Sequence, residues 1–179
     1  MIKLFYKPYL YFNLFVRHKI HNKRSSYSQF QEDLFIDNFF KNKSNGFYVD
    51  IGCYHPIKYS NTALIYNKGW SGINVDLNQT SIDLFNIARK RDKNICAALS
   101  NKNEAAEFFF DHLLSPVNTL SKEFSDYSYK NISRNKYIKK KIQKYTFDKL
   151  VEKFDLKISN IDLLNIDAES HDFEVLEGF

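Results

Sequence analysis

Three acids stand where β-strands are expected to end: Asp50, Asp76 and Asp167. Asp76 follows Asp50 by 26 residues, close to the roughly 20-residue offset at which an acid meets ribose hydroxyls in nucleotide-binding β-α-β units. An ionised carboxylate takes two such O–H groups well, because charge-assisted hydrogen bonds are short and strong. Gly52 comes directly after the first strand, where a missing Cβ lets backbone approach a ligand. Any one of these residues taken alone reads more simply as a solvated strand end or a turn. Two acids at this offset with a glycine between them make the better case for a ligand. The turn runs Asp50-Ile51-Gly52-Cys53-Tyr54-His55-Pro56 and lacks the G-x-G-x-x-G that cradles a pyrophosphate. The P-loop pattern is absent too. A nucleoside ligand without pyrophosphate fits better, and S-adenosylmethionine is the common one.

Elements of the right kind surround these residues. Gly46-Phe47-Tyr48-Val49-Asp50-Ile51-Gly52 reads as a buried strand bounded by glycines. Further strands are expected over residues 73–77, 94–99 and 161–167, with helices over 61–68 and 80–91, the latter placing Ile82, Phe85 and Ala88 on one face. This alternation implies parallel strands with right-handed crossovers. Ser28 and Gln31 fit a capping box before a helix over 29–40, in which Phe30, Leu34, Phe35 and Phe39 recur at helical spacing. An additional strand is expected over 107–111 and a surface excursion over 121–134. Lys139, Lys140 and Lys141 read as a solvated face or edge strand in preference to a phosphate or RNA site. Thr146 is expected to cap a helix carrying Phe147, Leu150, Val151 and Phe154, and Ser170 to cap one beginning at His171. His55, beside Pro56, reads as a loop-shaping residue.

The 179 residues suit one domain, and a hydrophobic content of 44% can build its core. A net charge of +5 suits anionic partners without naming one. Cys53 and Cys96 form no C-x-x-C, so neither a disulfide framework nor a zinc cluster is expected, and the setting reads as reducing and cytoplasmic. No stretch of about 18 uncharged apolar residues offers a spanning helix. Residues 1–24 form a separate arm before a domain over 25–179. The arm interleaves aromatic and aliphatic residues with Lys3, Lys7 and Pro8, then turns basic at Arg17, His18, Lys19, His21, Lys23 and Arg24. It has no uninterrupted apolar core or cleavage site of a signal peptide. It reads either as a peripheral segment on an anionic membrane or as a helix packed on the domain or a partner.

Several blocks together resemble the FkbM-type methyltransferases: Ser28-Gln29-Phe30-Gln31-Glu32-Asp33-Leu34, the 46–56 run, Tyr59-Ser60-Asn61-Thr62, Gly69-Trp70-Ser71-Gly72-Ile73-Asn74-Val75-Asp76, and Asp167-Ala168-Glu169-Ser170-His171-Asp172, similar to the family's D-x-E-G-H-D block. The resemblance implies an α/β, Rossmann-like class I methyltransferase sheet, mostly parallel, and S-adenosylmethionine-dependent methyl transfer to a hydroxyl of a cell-surface saccharide, glycolipid or small molecule. It puts Asp50, Gly52 and Cys53 against the methionine and ribose part of the cofactor, Asp76 on the ribose hydroxyls, and Ala98, Leu99 and Ser100 near the adenine. Asp167, Glu169 and His171 would face the transfer centre, with His171 as base and an acid orienting it or contacting the acceptor. Such a trio could also hold a divalent cation, although no metal is assigned. Gln31 and Ser170 stand where the family usually has glycine. Twelve residues follow Asp167, whereas the class I fold normally adds three more strands, so the C-terminal strands are expected to be missing. The alternative reading is therefore a truncated, inactive cofactor-binding fragment, and a second copy is a natural cover for the bare sheet edge.

Overall fold

A computed structural model describes residues 2–18, 25–158 and 160–179. Lys19, His21, Lys23 and Arg24 of the basic run lie outside the described residues. The β-branched and aromatic runs form four parallel strands: β1 (Phe47–Ile51), β2 (Ser71–Asp76), β3 (Lys93–Cys96) and β7 (Leu163–Ile166), in the order β3-β2-β1-β7. Asp50 sits beside Asn74 on one side and Asn165 on the other. Strand alternation then sorts the side chains by face. Val49, Ile51, Ile73 and Val75 enter the main core with Phe147, Leu150 and Val175, from helices α6 (Phe147–Lys153) and α7 (Asp172–Glu177). Tyr48, Asp50 and Asn74 face the opposite layer, where α3 (Ala63–Asn67) and α4 (Gln79–Ala88) lie. Helices on both faces are what a parallel sheet requires. The architecture is Rossmann-like.

The strand expected over 94–99 is divided. After Cys96 the chain leaves the large sheet, and Ala98–Leu99 become β4 of a small one, ordered β4-β6-β5 with β5 (Ala105–Phe110) and β6 (Ile138–Tyr145). Only Ala97 separates the two strands, its N–H still bonded to Asp76 O at 3.1 Å. β6 is accordingly a middle strand and not an edge, while Lys139, Lys140 and Lys141 lie on a solvated face as the other reading has it. Lys139 pairs with Glu107 at 2.9 Å and Lys140 lies over the Phe110 ring. The segment read as a surface excursion contains helix α5 (Lys122–Asn131), capped by Ser121, whose Oγ accepts from Phe124 N at 3.1 Å.

Two helix starts differ from expectation, and a third, with Thr146 at the N-cap of α6, lacks only the side-chain bond. Helix α2 (Glu32–Phe39) begins after Gln31, which takes φ +70. The buried Asp33 carboxylate gathers the preceding loop, accepting from Ser26 Oγ and Ser28 Oγ at 2.7 Å each and from Tyr27 N at 2.6 Å. This use of Ser28 replaces the capping box. Phe30, Phe35 and Phe39 are left exposed, while Ile36 and Phe40 pack toward Tyr48 and Trp70. Thr146 does not cap α6 through its side chain, and Phe154 is exposed. His171 occupies the N-cap position of α7, so Ser170 is no cap.

The amino-terminal arm is helical. Helix α1 (Ile2–Phe12) runs into a π-helical turn, Asn13–Arg17. Leu10 and Leu14 pack on Leu84 of α4, and Tyr6 donates to Asp83 at 2.6 Å. His55 shapes its loop by accepting at Nδ1 from Ile57 N and Lys58 N, 3.0 Å each, which leaves Nε2 to donate to the buried Asn13 Oδ1 at 2.9 Å. His18 is buried as well, edge-on to His55.

Candidate active site

A parallel sheet exposes a crevice beyond the carboxyl ends of its strands, and here the crevice is a cleft of about 520 Å³ counting its open mouth. Its walls come from β1 and β2 ends, the Ala97–Leu99 crossing, the 115–120 loop and the segment after β7. Gly52, Asp76, Ala98, Leu99, Asp167, Glu169 and His171 all line it. Asp50, Cys53 and Ser100 do not.

Asp50 lies beneath the floor, fully buried, accepting from Thr62 Oγ1 at 2.6 Å and Asn165 Nδ2 at 2.9 Å. Burial pushes its carboxyl up, against the pull of the Thr62 bond and the Arg89 charge. Cys53 is packed with Ile82 and Phe85 against α4, and burial drives its thiol well up. Both residues thus lie beneath the floor and not among the side chains that line the cleft. Ser100 stands behind His171, its Oγ 3.1 Å from Nε2.

Asp76, unlike Asp50, reaches the cleft. Its Oδ2 accepts from Tyr54 N at 2.8 Å and its Oδ1 from Asn78 N at 2.7 Å. Both bonds favour the ionised form, but burial dominates and raises the carboxyl to about 6. Each oxygen keeps a lone pair for a further donor.

Across the cleft, the segment after β7 turns through two residues with positive φ, Glu169 at +49 and Ser170 at +69. The buried Thr119 hydroxyl holds this turn by donating to Glu169 O at 2.7 Å. Such a backbone in non-glycine residues is strained and concentrates at functional sites. Burial first, then the charges of Asp167 and Asp172, raise Glu169 to about 7. Burial also raises Asp167. For His171, burial lowers the imidazole despite Glu174, whose carboxylate stands 3.5 Å from Nδ1. Glu169 is thus poised near neutrality, while the His171 ring is occupied by Ser100 and Glu174.

The profile described as the methyltransferase FkbM domain matches residues 50–178. The chain belongs to the FkbM methyltransferase family. No curated protein and no solved structure matches it. The matched span contains every cleft residue named above. Among the described residues no helix is long and apolar enough to cross a membrane, and no group of three or more metal-ligating side chains is present.

The sequence reading missed the support beneath this FkbM site. Arg89 is almost fully buried, donating to Thr62 Oγ1 at 2.7 Å, Ser60 Oγ at 2.8 Å, Pro56 O at 2.9 Å and Tyr48 OH at 3.2 Å. Tyr48 in turn donates to Asp92 at 2.5 Å. Asp50 and Asp92 therefore share one buried cation through hydroxyls. The Tyr59-Ser60-Asn61-Thr62 block carried the signal, because two hydroxyl residues in a family motif invite a buried donor.

Proposed function

We propose that the chain transfers a methyl group from S-adenosylmethionine to a hydroxyl of a saccharide or glycolipid. The observation that carries the reading is the placing of Asp76 and Glu169 on opposite walls of one cleft. The residues present fit the cofactor: Asp76 has lone pairs for two ribose hydroxyls, Gly52 opens the backbone beside it, and Val75, Leu77, Ala97, Ala98 and Leu99 offer apolar walls for a purine.

When bound, S-adenosylmethionine supplies a methyl carbon made electrophilic by its sulfonium, which departs as a neutral thioether. The protein's own contribution is alignment and proton removal. Glu169, ionised near neutral pH, takes the hydroxyl proton as the acceptor oxygen forms its new bond to carbon. Asp167 holds the acceptor by a second hydroxyl and keeps the Glu169 carboxyl high by its charge. His171 positions the wall through Ser100, a role in place of the base. Free Cys53 and Cys96 fit a reducing, cytoplasmic setting.

Isothermal titration with S-adenosylmethionine and its demethylated product tests the reading. Binding to the folded chain that Asp76→Ala weakens at least about tenfold is expected, the loss of charge-assisted hydrogen bonds. No binding to a well-folded sample overturns it. Transfer of labelled methyl to glycan or glycolipid extracts then tests the acceptor class.

A further inference from the structure

The arm has two faces, and the domain uses one. Leu10, Leu14, Asn13 and Tyr6 are spent on α4 and the His55 loop. The other face carries Phe5, Tyr11, Phe12, Phe15 and Val16, each exposing more than half of its surface. Tyr11 and Phe15 stack on one another at 5.9 Å, which gathers the patch without covering it. A contiguous set of large apolar side chains left in water marks an interaction surface.

Charge selects the occupant. Residues 1–24 contain no acid, against Lys3, Lys7, Arg17, Lys19, Lys23 and Arg24. A second copy meeting this face about a two-fold axis would bring like charges together. An anionic lipid surface instead satisfies both features at once, taking aromatic side chains at the headgroup boundary and lysines and arginines at the phosphates. We infer that the arm seats the protein on an anionic bilayer through Phe5, Tyr11, Phe12, Phe15 and Val16, with Lys7 and Arg17 flanking them.

The seat lies close to the cleft. Leu114 packs in the same cluster as Leu10 and Leu14, and the next two residues, Ser115 and Pro116, line the cleft. Tyr54, another lining residue, donates to Leu114 O at 3.4 Å. The inference stands independently of which cofactor or acceptor the cleft takes.

Co-sedimentation of the full chain with vesicles tests it, using phosphatidylcholine alone and phosphatidylcholine mixed with phosphatidylglycerol. Each basic residue at an anionic surface strengthens binding about fivefold, so Lys7 and Arg17 together predict a preference of roughly thirtyfold for the anionic vesicles, reduced by high salt. Phe12→Glu with Phe15→Glu is expected to abolish sedimentation while circular dichroism and the unfolding midpoint stay unchanged, because both side chains are exposed. Lys7→Glu with Arg17→Glu is expected to cut the lipid preference at least roughly thirtyfold. Equal binding to both vesicles, or binding indifferent to the phenylalanine changes, overturns the inference. So does a dimer in lipid-free solution that Phe12→Glu dissociates, which would give the face to a second copy.

Discussion

A Cβ on Gly52 would lie 1.9 Å from the backbone carbonyl oxygen of Asp167. The ends of β1 and β7 therefore meet as bare backbone at the floor of the cleft, and Gly52 holds φ +74 there. Gly52→Ala must distort both strand ends. The left-handed backbone alone costs about 1–2 kcal/mol, and the clash adds to it. A clearly lowered urea midpoint with lost cofactor binding is expected; an unchanged midpoint would mean that β7 can retreat without cost.

Asp76, raised to about 6 by burial, gives two pH signatures. Cofactor affinity should rise as pH passes upward through about 6, since the ionised carboxylate accepts the ribose hydroxyls. Stability should run the other way. The folded state binds this proton more tightly than the unfolded chain, so the stabilisation present below the ordinary value of 3.8 is lost as pH rises to about 6. Asp76→Asn should flatten both trends and weaken binding roughly tenfold at neutral pH. Titration calorimetry and denaturation across that window measure them.

Glu169 sets the expected rate profile. With its carboxyl at about 7, kcat/KM should climb through about 7, and Glu169→Gln should lower it roughly 10²–10⁴-fold while cofactor affinity persists. His171→Ala should leave the inflection in place. If the inflection vanishes with His171 instead, the proton goes to the imidazole.

Ser170, with φ +69, carries a side chain where glycine is at ease. Ser170→Gly should relieve about 1 kcal/mol of backbone strain, partly offset by the greater freedom of glycine in the unfolded chain. A modest rise in melting temperature is expected. A fall would show that the serine side chain contributes a contact worth more than the strain.

Most of the sheet was legible because its signal is local: the apolar runs of β1, β2 and β7 are each closed by glycine or an acid, Gly52, Asp76 and Asp167. Gly52, Asp76 and the residues after β7 could be placed in one crevice by strand order alone. Arg89 could not, since an arginine that opens the basic run Arg89-Lys90-Arg91 at a helix end looks solvated until Tyr48, Pro56, Ser60 and Thr62 converge on it from other elements. The phenylalanine stripe of α2 misled for a related reason. Periodicity names a face, but the buried Asp33 turned the helix so that Ile36 and Phe40 packed inward. Ser121 offered a cap signal for α5 that the polar composition of the segment obscured. The distinction between Glu169 and His171 rests on what each ring or carboxylate touches, which spacing does not encode.

At Ala97 the chain changes sheets within a single residue, and that crossing is also part of the cleft wall. The small sheet is thereby a lever fixed to the pocket. Ser100 N bonds to Tyr145 O at 2.9 Å, so β6 is tied by backbone to the end of the crossing that forms the wall. Residues remote from the cleft, such as the buried Phe108 on β5, are thereby joined to its wall through the pairing of β5 with β6.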